Sequence, residues 1–146
     1  MKIDIEEFNL KDVQVNPETV LTFPAGLSGF EHLKRYSLFH EEGKPTVFWL
    51  QSLDDTSVSF SVVEPKSLAI GYEIDLSDED CNSIDYKDAD ETLVLVILYR
   101  TEAEDAASGS RIAANTHSPL VLNMRTRLGI QKFLKEMEPS IHYRAR

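Results

Sequence analysis

Along much of this chain apolar and polar residues alternate with a period of two, the pattern of strands that bury one face. In Lys2–Phe8, Ile3 and Ile5 alternate with charged neighbours. Val13 and Val15 repeat the pattern briefly, and Asn16-Pro17 closes that piece as a turn. Val20–Phe23 is stopped by Pro24, which cannot donate to a ladder. Gly26 and Gly29 then read as turn positions that need positive φ. Further strands are expected over Tyr36–Phe39 and Val47–Gln51, joined by a hairpin loop at Glu41–Pro45. Val58, Phe60 and Val62 share one face of the next strand, which ends at Glu64-Pro65. Trp49, between Phe48 and Leu50, reads as core.

Tyr72 and Ile74 alternate with Glu73 and Asp75 and read as a short strand. Ser77 followed by Asp80 resembles a capping box, and acids fill the first turn, so a short helix is expected from Asp78 to about Ile84. Cys81 and Ile84, three apart, would point inward. Thr92–Tyr99 is apolar on both alternating faces and reads as a central strand buried on both sides. Glu102–Ser110 is small, acidic and glycine-containing, the pattern of a mobile loop. Pro119–Leu122 makes another strand, stopped by Asn123. Leu128–Leu134 fits a strand or a helix by periodicity alone. About nine short strands with frequent turns indicate an all-β, mainly antiparallel domain. The architecture expected is a small closed or partly open β-barrel with one short helix.

The chain's 146 residues suit one domain, 1–146, with a loosely held tail after about Pro139. No repeat or linker interrupts it. The longest strongly apolar run, Leu93–Tyr99, is far shorter than the roughly 20 residues of a spanning helix. The N-terminus has no apolar signal core, and the single cysteine, Cys81, excludes an internal disulfide. These features favour a soluble cytoplasmic protein. The net charge of −10 handicaps direct nucleic-acid binding and would attract a basic partner. That charge is uneven. Nine acids and one base fall in Glu73–Glu91, whereas the chain from Met124 onward is net basic. The acidic run is a solvated face or a docking surface for a cationic partner.

Catalytic chemistry finds little support. Asp78-x-Asp80-x-Asn82 opens like a calcium loop, but Ser83 stands where a turn glycine is needed and Ala89 where a bidentate Glu is needed. The histidines His32, His40, His117 and His142 are dispersed, without metal-ligand spacing. No Gly-x-Ser-x-Gly elbow exists, and the acids around Cys81 disfavour its thiolate. Gly26-x-x-Gly29 is too short for a phosphate loop.

Five ordered segments carry a family resemblance. Phe23-Pro24-Ala25-Gly26-Leu27-Ser28-Gly29-Phe30-Glu31 resembles a Phe-Pro-x-Gly-Ile/Leu-Pro-Gly-Phe-Glu opening. The others are Phe48–Asp54, Phe60–Pro65, Tyr72–Asp80 and the stretch from Asn115 through Pro119 to Asn123. Together they resemble the flagellar assembly factor FliW family, in order from about Lys2 to Leu134. The resemblance implies a cytoplasmic, non-enzymatic bacterial regulator that needs no cofactor or metal. It implies binding to the RNA-binding translational repressor CsrA, antagonised allosterically, and to flagellin. Flagellin level would thereby be coupled to translation of its mRNA, with no direct contact to nucleic acid or membrane. If the resemblance extends to CsrA binding, the acidic run makes Glu73, Asp75, Asp78, Glu79 and Asp80 the residues expected to form part of the CsrA-facing surface. Alternatives are a flagellin chaperone without CsrA control and a small ligand-binding barrel. Departures from the pattern are Ser28 and Thr56 in place of prolines, and the polar Thr116-His117-Ser118 in the fifth segment.

Overall fold

The computed structural model describes residues 2–5, 10–41, 44–102, 110–134 and 142–143. Its strands are β1 (Lys2–Ile5), β2 (Leu10–Gln14), β3 (Leu21–Thr22), β4 (Arg35–Glu41), β5 (Lys44–Ser52) and β6 (Ser59–Val63). They continue with β7 (Ile70–Gly71), β8 (Thr92–Glu102), β9 (Ser110–Ala114), β10 (Leu120–Asn123), β11 (Leu128–Gln131) and β12 (His142–Tyr143). One α-helix, α1 (Asp78–Ser83), lies between β7 and β8.

Seven strands close into a barrel in the order β10-β11-β3-β4-β5-β6-β8, and β8 pairs back onto β10. Every pairing around the ring is antiparallel except β3 with β11. β8 makes closure possible because it is long enough to serve three neighbours. Its start, Thr92–Leu95, pairs with β10; Val96–Leu98 pairs with β6; and Leu98–Glu102 pairs with β9. β9 and β10 thus follow one another along one edge of β8, separated by the excursion Asn115–Pro119. Two small ribbons, β1–β2 and β7–β12, complete the described pairing.

The period-two pattern fills the barrel. Tyr36, Leu50, Val62, Leu95, Leu120 and Leu122 are almost fully buried together, with Leu38, Phe48, Phe60, Leu93 and Ile97 packed against them. Phe23 leaves β3 to plug the interior, meeting Tyr36 edge-to-face at 5.5 Å between ring centres. That plug needs Gly129 on β11, where a Cβ would lie 2.5 Å from Leu122 Cδ2 and 2.6 Å from Phe23 Cε2. Burial, and secondarily the charge of Asp54, pushes the Tyr36 hydroxyl up to about 12. That hydroxyl has no hydrogen-bond partner among the described residues.

Several expectations change. The capping box and helix stand as expected, with the Asp80 N–H donating to Ser77 Oγ and the Ser77 N–H to Asp80 Oδ2, both at 3.0 Å. Gly26 and Gly29 have φ of +72° and +86°. Leu128–Gln131 resolves as a strand. By contrast, no strand forms over Tyr72–Ile74. Residues 72–77 run as an irregular strap, and Tyr72, Ile74 and Leu76 line a crevice with Thr92, Val94 and Val121 on the barrel's outside. Alternation arose there from packing on a sheet face, not from a ladder. β8 is not buried throughout: Leu95 and Val96 are, but its far end runs past β6 and leaves Tyr99 half exposed. Trp49 is also not core. Phe48 and Leu50 face the interior, so Trp49 faces outward, half-buried against Phe39 across the β4–β5 pair at 5.9 Å. Residues 103–109, in the expected mobile loop, lie outside the described residues, as does most of the chain after Pro139.

Two substitutions test this packing. Gly129→Val should cost about 1–3 kcal/mol by overpacking against Phe23 and Leu122. A urea midpoint equal to the parent's would show that Phe23 does not sit over Gly129. Tyr36→Phe should leave stability unchanged or raise it by up to about 1 kcal/mol, because the hydroxyl is buried unpaired. A clear fall in melting temperature would reveal a partner for it.

Candidate partner-binding surface

The strap and α1 display the acidic segment. Tyr72, Ile74 and Leu76 turn toward the barrel, and the Tyr72 hydroxyl donates to the Thr116 carbonyl at 2.7 Å. Glu73 and Asp75, one residue out of phase, are exposed. Asp78 and Glu79 are exposed on the first turn of α1, whose end is pinned by fully buried Ile84; Cys81 is half-buried. Four of the five expected contact acids therefore share one outward-facing stretch.

Asp80 is different. Its carboxylate accepts from Lys132 Nζ at 2.6 Å as well as from the Ser77 N–H. Partial burial works to raise its pKa, but the Lys132 and Ser77 hydrogen bonds outweigh that and hold it below the usual carboxylate range. Asp90 is engaged similarly. Arg125 Nε donates to Asp90 Oδ1 at 2.9 Å, and Arg125 Nη2 donates to the Asp85 carbonyl at 2.7 Å. The Arg125 guanidinium, then the Lys87 N–H, keeps Asp90 far below its ordinary value. The basic segment after Met124 thus folds back onto the acidic one, a pairing that net charges alone did not reveal.

Buried Asn123 organises this junction. Its Nδ2 donates to the Ile84 carbonyl at 3.0 Å and to Asp90 Oδ2 at 3.1 Å, while its Oδ1 accepts the Arg125 N–H at 2.9 Å. Sequence reading saw only a residue that stops β10. The signal available was a polar side chain at the end of an otherwise apolar strand.

Next to α1 lies a cleft of about 320 Å³, whose lining includes Leu27, Ser28, Glu31, Glu79, Asp80 and Phe133. A second groove, about 430 Å³, is lined by Val47, Ser59, Phe60, Ser61, Leu98, Tyr99 and Ile112. The excursion Asn115–Pro119 is mostly tied down. The Asn115 N–H donates to the Ile97 carbonyl, and the Ser118 carbonyl accepts from Gln131 Nε2. Only His117 within it is exposed. Among the described residues no group of three or more His, Cys, Asp or Glu is placed to hold a metal. Asp78, Asp80 and Asn82 lie in or on a helix rather than in an ion-binding loop. No helix among the described residues is long and apolar enough to cross a membrane.

The fold has counterparts among known proteins. A family model described as FliW protein matches residues 4–145. The chain belongs to the FliW family. It is 41% identical to the flagellar assembly factor FliW of Azoarcus sp. (strain BH72), over 100% of this chain and 99% of the relative. It is 35% identical to that of Chromobacterium violaceum, over 91% and 94% respectively. A crystal structure of the flagellar assembly factor FliW superposes with a TM-score of 0.75 at 27% identity, covering 93% of this chain and 90% of the other. Within this FliW-family chain the Ser28 departure has a visible use. The Ser28 N–H donates to Gln131 Oε1 at 2.8 Å, a bond that proline could not make.

The Asp80–Lys132 bridge predicts an acid-range signature. A carboxyl held below its unfolded value of about 3.9 stabilises the fold above that pH and loses the contribution as pH falls through the folded value. Asp80→Asn should therefore lower stability at pH 7 and narrow the difference from the parent near pH 3. A difference that stays constant from pH 7 to pH 3, followed by urea denaturation, would remove the bridge as its source.

Proposed function

We propose that this protein is a non-catalytic, cytoplasmic regulator of flagellum assembly. In this reading it binds the translational repressor CsrA as an allosteric antagonist and binds flagellin in alternation. Flagellin held by this protein leaves CsrA free to repress; secreted flagellin releases the protein to capture CsrA. Membership of the FliW family over nearly the whole chain carries the reading. The exposed acids Glu73, Asp75, Asp78 and Glu79 support it, since an RNA-binding partner presents basic surface that they would attract. Asp80 serves this surface by holding α1 in place, with its own charge already engaged by Lys132.

The deciding experiment is calorimetric titration with CsrA from the same organism, alone and with flagellin already bound. Binding that flagellin suppresses is the expected result. Flagellin binding without CsrA binding would favour a chaperone role, and no binding to either would overturn both. If CsrA meets the acidic face, Asp78→Lys with Glu79→Lys should weaken it roughly tenfold at low salt and flatten its salt dependence. Leaving Asp80 intact in that variant keeps the helix cap and the Lys132 bridge. Unchanged affinity at low and high salt would place CsrA elsewhere.

A further inference from the structure

We propose that the cleft between α1 and the Phe23–Glu31 turn receives an arginine or lysine side chain from a partner protein, with apolar neighbours of that residue resting on Phe133. The proposal deepens the reading above, because it rests on α1 facing a partner and names the chemistry received there.

The cleft is built before any ligand arrives. One wall is the turn, in which the Gly26 N–H donates to the Phe23 carbonyl at 2.8 Å. Gly26 lies so close to Glu31 that a Cβ would come within 2.5 Å of the Glu31 Cα. The other wall is α1. Consecutive residues at the end of β11 brace both walls. Gln131 Oε1 accepts the Ser28 N–H on one side, and Lys132 Nζ reaches Asp80 on the other. Such bracing lowers the ordering cost that a partner would otherwise meet.

Its chemistry is complementary to a cation with a hydrocarbon stem. Glu31, Glu79 and Asp80 supply carboxylates, and Lys132 offsets one of them. Glu31 is kept ionised chiefly by the Gly29 N–H, which donates to Oε2 at 3.1 Å; His32 and Lys34 act in the same direction. Glu79 is exposed and makes no ion pair among the described residues. Phe133 is 58% exposed beside these acids. An exposed aromatic ring next to carboxylates suits a cation flanked by apolar residues, the cation bonding the carboxylates while its neighbours cover the ring.

The test is an NMR titration of the full-length protein with the capped pentapeptide acetyl-Gly-Leu-Arg-Leu-Gly-amide, against the same peptide with neutral citrulline in place of arginine. At roughly 10 mM peptide, amide signals of Gly26, Gly29, Ser83 and Phe133 should move with the arginine peptide and hardly at all with citrulline. Glu79→Gln, which disturbs neither brace, should weaken the arginine peptide roughly three- to tenfold, and Phe133→Ala should also weaken it. Signals that do not move, that move elsewhere, or that respond equally to citrulline would overturn the proposal. Applying Glu79→Gln to CsrA binding separates the two readings. An arginine response at the cleft with CsrA affinity unchanged keeps the cleft and removes CsrA from it.

Discussion

The pairing of Thr92–Leu95 with Leu120–Asn123 closes the barrel, and most of what distinguishes this molecule depends on that seam. Without it, the sheet from β10 round to β8 would be an open, twisted surface with two edges inviting association. Closure converts the edges into a ring whose inside is filled by Phe23, Tyr36, Leu50 and Leu122. It also produces an outer face at Val94, Val96 and Val121 that is still apolar. The strap of residues 72–77 lies over part of that face, and this packing sets the acidic residues outward. The barrel's closure and the placement of Glu73 and Asp75 are therefore one problem solved once.

Asn123 joins the seam to the acidic segment. It ends β10 at the last seam pair, and from there its amide reaches the backbone after α1 and the carboxylate of Asp90. Arg125 and Thr126 continue the same junction, the latter donating to the Ile84 carbonyl at 2.8 Å. A buried amide satisfied by several partners is costly to disturb, because removing it orphans the groups it serves. The loop from Ile84 to Asp90 is thus held by side chains of the β10–β11 turn, not by secondary structure of its own.

How far this was legible in the sequence varied by physical cause. Alternation along Tyr36–Phe39, Val47–Gln51 and Val58–Val62 located three barrel strands, and Ser77 with Asp80 located the helix start, because each signal is local. Alternation at Tyr72–Ile74 misled, since a strap packed on a sheet buries every second residue just as a strand does. Trp49 misled for the opposite reason: a large apolar residue between two core residues must, in a strand, face the other way. The acidic run was visible, but its division into exposed and engaged acids was not. That division depends on Lys132 and Arg125, dozens of residues away, and on the turn that returns them to α1. The Gln131 and Lys132 braces likewise carry no local signature.

The division of the acids bears on what a partner can feel. An exposed carboxylate contributes to the long-range field that steers encounter, whereas one bonded to Lys132 or Arg125 adds little beyond its own pair. Counting the segment's net charge therefore overstates its pull. What remains outward is Glu73 and Asp75 on the strap and Asp78 and Glu79 on α1, with Glu31 reaching the same neighbourhood from the turn. The strap acids are exposed to solvent, where an ion pair contributes at most about 1 kcal/mol. Glu79 and Glu31 border a concavity that holds an exposed aromatic ring, where a cationic side chain displacing water would form a stronger pairing. In the proposed reading, steering and specific contact consequently fall to different residues of one acidic face.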